Sequence, residues 1–327
     1  MTVGPAGLTD TAIGAEVRTL LTFEARAMGS PLNFSVVVAT DVPADVDLAN
    51  SAWQAVRDEF ESSEQAMSRF RDTSEVTLLN RRAGVDDSAP VTRRLSRALV
   101  ACDRAHRLTE GRFDPRVLWD LERLGEHGAP IGPESAGGVG RRIVERSTRD
   151  LVRLPEAVDL GGIGKGLALR WAAHAVRLLR VGAFLLDAGG DLVASGEPAE
   201  GGPWRIGLED PRGGVAPLAV IAASDEAVTT SSVRRRQWQL GGRTVHHLID
   251  PRTGEPGGAG LLAVTVAGPD PAWSEVWSKA LFLEGPSGVA ALARQRGLAA
   301  WWVAADGSLE MTPGARMRTI WTAGEPA

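Results

Sequence analysis

The stretch richest in chemical possibility is VDLGGIGKG, Val158 to Gly166: a strand ends at Asp159, glycines follow at 161, 162, 164 and 166, and Lys165 stands where a helix begins. Glycines let the backbone approach a ligand closely, and the free N–H groups of a helix start beside a lysine favour a phosphate. The spacing is not that of a Walker A loop, since no Ser or Thr follows the lysine, and it also fails GxGxxG. Read alone, such a turn serves structure as often as it holds phosphate. A second glycine turn, DAGGDLVASG (Asp187 to Gly196), reads first as a hairpin whose glycines supply positive φ. The same glycines would also open room for a large planar ligand.

HHLIDPRTGEP (His246 to Pro256) gathers His, Asp, Arg and Thr around a strong turn signal. Adjacent histidines on a strand point to opposite faces, so at most one of His246 and His247 faces a site. With Asp250 and Thr253 nearby, a structural and a proton-transferring histidine stand as equal alternatives. FDP (Phe113 to Pro115) sets an acid beside an aromatic ring at the end of a helix. SRFRDTSEVTLLN (Ser68 to Asn80) reads as a loop entering a short helix with Thr73 or Ser74 as N-cap. Glu275 and Lys279, four apart on a late helix, would form a pair worth about 0.2–0.5 kcal/mol on an ordinary surface. The single cysteine, Cys102, excludes an intramolecular disulfide and a Cys-rich zinc site. Flanked by Leu99 and Val100, with no activating partner, it reads as a buried structural thiol.

The elements that must position these residues follow from periodicity and breakers. Strand character runs from Leu20 to Val38, broken at Met28-Gly29-Ser30-Pro31. An amphipathic helix is expected from Asp45 to Met67, with Leu48, Ala52, Val56 and Phe60 at helical spacing. A second helix runs from Arg93 to Thr109 and stops at Gly111. Gly125–Gly140 reads as a surface loop. A strand at Leu151–Leu154 leads to the glycine loop, and a helix follows over Leu167–Leu179. Strands are expected at Ala183–Asp187, Leu192–Ser195, Trp204–Leu208, Ala216–Ala222, Trp238–Leu240, Val245–Leu248 and Leu262–Ala267. Helices at Pro271–Leu283 and Gly288–Arg296 and a Trp-rich hairpin close the chain. Strands and helices intermix without a βα repeat, so the fold class is α+β.

The 327 residues, 43% hydrophobic and 24% charged, suffice for a substantial core. A net charge of −5 argues against a nucleic-acid surface built on bulk charge. No apolar run approaches about 20 residues, which excludes a transmembrane helix. The first residues show no secretory or lipidation signal, so a cytoplasmic location is expected, with residues 1–18 a flexible leader and 19–327 one domain.

Taken in order, nine segments resemble the ApbE family of FAD:protein FMN transferases. They are Met28-Gly29-Ser30; Ser68-Arg69-Phe70 with Ser74-Glu75 and Asn80; FDP; VDLGGIGKG; LLDAGGDLVASG; WRIGLEDPR (Trp204 to Arg212); AVTTSS (Ala227 to Ser232); HHLIDPRTG; and VTVAGPDPAWSEVWSKALFLEG (Val264 to Gly285). The resemblance spans about Thr22 to Trp302. It implies an ApbE-like fold, mixed sheets with flanking helices around an FAD cleft. It further implies cleavage of the FAD pyrophosphate, transfer of FMN to a Thr or Ser hydroxyl of an acceptor protein, and release of AMP with Mg²⁺ help. FAD hydrolysis and simple flavin binding are the alternative activities.

Residue by residue, the resemblance implies that Met28, Phe70, Arg112, Phe113 and Asp114 line the flavin or adenine pocket. Asp159 and Lys165 would contact FAD in the glycine loop, and Ile249 would pack on it. His247 would stand near the reacting phosphate as base or as stabiliser of the acceptor. The family's metal is held by a loop carbonyl, here that of Gly162, and by an Asp and a Thr four apart, here Glu275 and Lys279. A carboxylate can hold Mg²⁺ but an ammonium cannot. At about 4 Å the two cations would repel by roughly 8 kcal/mol at an effective dielectric of about 20. Lys279, paired with Glu275, is therefore expected to take the catalytic place of the metal as a point charge on the pyrophosphate. With no tyrosine in the chain, stacking on a flavin must come from Phe or Trp.

Overall fold

The computed structural model describes residues 18–39, 42–128, 142–146 and 148–323. Alternation sets the first hairpin: in Ser30–Ala39 the side chains of Leu32, Phe34, Val36 and Val38 are buried, with less buried residues between them. This strand pairs antiparallel with Arg18–Ala27 through a two-residue turn at Met28 and Gly29, whose φ angles are 50° and 71°. Arg18 already pairs with Ala39, so the strand begins inside the expected leader; the rest of that leader lies outside the described residues.

Eight strands form the main sheet, in the spatial order Arg18–Ala27, Ser30–Ala39, Phe184–Ala188, Asp191–Ser195, Ala227–Ser232, Leu261–Gly268, Ala299–Ala304, Leu309–Met311. Every described strand pair, in this sheet and the smaller ones, is antiparallel. Helices α1 (Pro43–Met67), α2 (Glu75–Asn80), α3 (Arg93–Leu108), α5 (Gly164–Leu178) and α6 (Pro271–Glu284) follow the predicted positions closely, while α4 (Leu118–Arg123), between the FDP segment and Gly125, is not among the expected elements. Ser74 is the N-cap of α2, its side chain accepting from the Thr77 N–H. Cys102 is fully buried on α3 and burial pushes its thiol up, away from reactivity.

The sheet is covered on both faces. On one, α1 and α5 bury Ala52, Val56, Phe60, Leu169 and Ala172 against Phe34, Phe184 and Leu186. On the other, a three-stranded sheet (Trp204–Leu208, Ala219–Ala223, Thr319–Thr322) packs Trp204, Ile206 and Ile221 against Leu192, Val228 and Trp301. The alternate assignment of Leu192 and Val193 to the two cores is the period-2 signature of a strand inside a sandwich. The glycine turn of DAGGDLVASG is a two-residue hairpin at Gly189-Gly190, with Ala188 opposite Asp191 and φ of 68° and 98°. Of the loop expected over Gly125–Gly140, residues 129–140 lie outside the described residues.

Candidate active site

The glycine loop is held in place by two of the other motifs. Asn80 of α2 brackets Val158, accepting from its N–H at 2.9 Å and donating to its carbonyl at 2.8 Å. The Asp159 N–H donates to the carbonyl of Pro115, in the FDP segment, at 2.7 Å. Asp114 caps the short 3-10 turn Pro115–Val117 and is gripped by Arg116 and, at 3.2 Å, by His106. Burial would raise its carboxyl, but the hydrogen bonds from His106 and Arg116 outweigh this and hold it at about 2. Asp114 is thus a buttress beneath the loop rather than a group with free lone pairs.

α5 opens at Gly164, and its first turn meets the start of α6 at very short range. A Cβ built on Gly166 would lie 2.6 Å from the Ala272 Cα and 2.6 Å from the Pro271 carbonyl oxygen. That approach carries Glu275 to the N-terminus of α5, where the Gly166 N–H donates to its carboxylate at 2.8 Å. The other Glu275 oxygen pairs with Lys165 at 3.2 Å, and Lys165 also contacts Asp191. Asp191 in turn accepts from the Thr230 N–H at 2.9 Å. Burial would lower the Lys165 ammonium, yet Asp191 and Glu275 together raise it, while burial and Asp191 push Glu275 up against the opposing pull of Lys165.

This overturns the expected Lys279–Glu275 pair: the helix contact at Gly166 gives Glu275 to Lys165 instead. Lys279 points at the loop. Its Nζ lies 2.7 Å from where a Cβ on Gly162 would stand, beside the buried ring of Phe113. It is only 9% exposed, and among the described residues its ammonium has no hydrogen-bond or ion-pair partner. Burial lowers it, while Asp159 and Glu275 pull upward and Arg236 opposes them.

His247 follows the strand Arg243–His246 and lies within electrostatic reach of Lys279. Its Nδ1 sits 3.2 Å from the Arg236 carbonyl oxygen, which can only accept, so Nδ1 carries the proton and Nε2 keeps a lone pair. Burial, helped by Arg236 and Lys279, holds its conjugate acid well below the usual histidine range, so the ring is neutral near pH 7. His246 packs edge-on to Phe282 at 6.1 Å and accepts from the Leu248 N–H, the structural member of the pair.

The remaining expected residues divide. Met28 packs between the two cores that meet beneath the loop, its Cε 3.4 Å from where a Cβ on Gly164 would stand. Phe70 is 58% exposed, its ring 4.2 Å from the guanidinium of Arg69, which reaches Asp159 at 3.4 Å. Arg112 pairs with Glu284 at the far end of α6. Ile249 is buried with Val117, Leu121, Leu124 and Val245, a core position. Sequence reasoning passed over Glu126 and Arg236, which join at 3.0 Å and connect Arg69 to the His247 carbonyl partner. Nothing in RRR (Arg234 to Arg236) marks the third arginine over its neighbours.

The donor set for Mg²⁺ is not there. Mg²⁺ wants six oxygens in near-octahedral order. Both oxygens of Glu275 are already taken by Lys165 and a backbone N–H, and an ammonium stands against Gly162. Among the described residues no group of three or more His, Cys, Asp and Glu is placed to hold a metal. Among them, too, no helix is long and apolar enough to cross a membrane.

Similar proteins share this framework. The chain is 31% identical over 172 residues to an FAD:protein FMN transferase of Klebsiella pneumoniae (strain 342), covering 51% of this chain and 47% of the relative, so the match spans about half that relative's length. A second K. pneumoniae protein of the same name is 28% identical over 314 residues, covering 90% and 93%. The crystal structure of the ApbE protein of Thermotoga maritima superposes with a TM-score of 0.80 over 92% of this chain and 99% of that one, at 23% identity, which is a likeness of fold. The model of the ApbE family matches residues 28–302, from the Met28 turn through the glycine loop, the His247 turn and α6, and the chain belongs to that family.

Proposed function

We propose that the chain cleaves the pyrophosphate of FAD and passes the FMN half to a Thr or Ser hydroxyl of an acceptor protein, releasing AMP. The observation that carries this is the pairing in one site of a neutral His247 and the Lys279 ammonium against the glycine loop, the His247 Nε2 and the Lys279 Nζ both without a partner among the described residues. The names of the K. pneumoniae relatives support it.

In this reading the diphosphate lies over the loop at Gly161, Gly162 and Gly164, where glycines leave backbone within reach and Ile163 turns into the core, and Lys279 faces its charge. His247 Nε2 takes the proton of the acceptor hydroxyl as its oxygen bonds to the FMN-side phosphorus. The bond from that phosphorus to the bridging oxygen breaks, and its electron pair leaves on AMP. The proton remains on His247 until solvent removes it, so atoms and charge balance. The exposed ring of Phe70, steadied by Arg69, is the aromatic surface on hand for a flavin or adenine face.

The test is AMP release from FAD by chromatography, with a Thr-containing acceptor protein present and its covalent flavin followed by fluorescence in a denaturing gel. AMP together with a flavin-labelled acceptor is the expected result. AMP with only free FMN would replace transfer by hydrolysis, and intact bound FAD would leave a flavin-binding protein.

A further inference from the structure

Resting on the FAD reading, we infer that this site works without a divalent cation: the Lys279 ammonium faces the charge of the diphosphate, and Lys165 takes up the two carboxylates, Asp191 and Glu275, that would otherwise face a metal. Space, charge and desolvation each point the same way.

The space beside the Gly162 backbone is occupied, since the Lys279 Nζ sits 2.7 Å from the position of a Cβ there. The carboxylates are spent. Glu275 divides its oxygens between Lys165 and the Gly166 N–H, while Asp191 divides its own between Lys165 and the Thr230 N–H. Lys165 stands between two anions as a metal would, so the local negative charge that attracts a dication is halved.

Lys279 completes the argument from the other side. A buried ammonium with no partner is costly until an anion reaches it. Among the described residues none is within ion-pair distance, and its surroundings open onto the glycine loop. An incoming diphosphate supplies the missing partner directly. A dication placed next to Lys279 would instead add further positive charge beside one that has no ion-pair partner among the described residues.

The test compares affinities for FAD and for riboflavin, which lacks the diphosphate, by flavin fluorescence quenching in EDTA and in Mg²⁺. Wild-type protein is expected to bind FAD equally in both buffers, within about twofold. Lys279→Met is expected to lose tenfold or more for FAD in both buffers and to keep its riboflavin affinity, which also reports an intact fold. Tenfold tighter wild-type binding of FAD in Mg²⁺ would overturn the inference while leaving FMN transfer standing, and needs no variant. So would Lys279→Met binding FAD as the wild type does. Absence of FAD binding in both buffers would sink the transfer reading and this inference with it.

Discussion

Replacing Gly166 by alanine tests how the site is assembled. The added Cβ would stand 2.6 Å from the Ala272 Cα and the Pro271 oxygen and 2.8 Å from the Ala272 nitrogen, all of them backbone atoms that cannot rotate away. Relief to ordinary contact requires the start of α6 to retreat by roughly 0.8 Å, as overpacked cores do by backbone shifts. That stretches the 2.8 Å bond from the Gly166 N–H to Glu275 beyond hydrogen-bond range and moves Lys279, one turn further along α6, off the loop. Overpacking against backbone costs about 3 kcal/mol, and alanine in place of glycine inside a helix returns about 1 kcal/mol. The net expectation is a loss of about 2 kcal/mol in urea unfolding followed by tryptophan fluorescence, together with weaker FAD binding. Gly182→Ala is the control, because nothing lies within 4 Å of its added Cβ. A Gly166→Ala protein as stable as wild type, or more so, with unchanged FAD affinity would refute the claim that this contact positions Glu275 and Lys279.

Three further outcomes are expected. Because His247 is held well below its ordinary 6.5, the acidic limb of AMP release should fall below pH 6.5, the neutral base persisting down to that limb; His247→Asn should cost about 10²–10⁴-fold in rate. An acidic limb at or above 6.5 would exclude His247 as the base. Lys165→Met leaves Asp191 and Glu275 buried as like charges and should destabilise by about 3–5 kcal/mol at pH 7 in urea titration, a change under about 1 kcal/mol counting against the pair. Asp114 falls from 3.8 unfolded to about 2 folded, so its contribution, about 2 kcal/mol, is complete above pH 3.8 and disappears as pH drops through about 2. The stability gap between wild type and Asp114→Asn should therefore close between those values, and a gap unchanged from pH 6 to pH 2 would contradict the pairing with His106 and Arg116.

Periodicity and local turn chemistry were enough for most elements. α1, α3, the Met28-Gly29 hairpin, the Ser74 cap and the Gly189-Gly190 turn each depend on neighbours within a few residues, and each was readable as such. Ala227–Ser232 escaped notice as a strand, although it lies mid-sheet between Asp191–Ser195 and Leu261–Gly268. Its threonines and serines break the apolar alternation, and two of their hydroxyls find partners across elements, Thr230 with Thr265 and Ser231 with Ser278. The same limit applies to Arg236 and Glu126, whose roles arise from contacts about 110 residues apart in the chain.

By itself, then, the amino-acid sequence determined most elements and the α+β class, because these follow from residue type and short-range spacing; the order of its motifs along the chain pointed to the family, and that resemblance in turn set Lys279 where a metal ligand was expected. Tertiary structure alone decided which carboxylate met which lysine. Lys279 and Glu275 lie four apart on one helix, the spacing of a pair. The packing of α6 against Gly166 nevertheless hands Glu275 to Lys165, 110 residues away, and leaves Lys279 over the glycine loop with no ion-pair partner among the described residues. Charge partners in a buried site are selected by how closely backbones can approach, and that distance is a property of the fold.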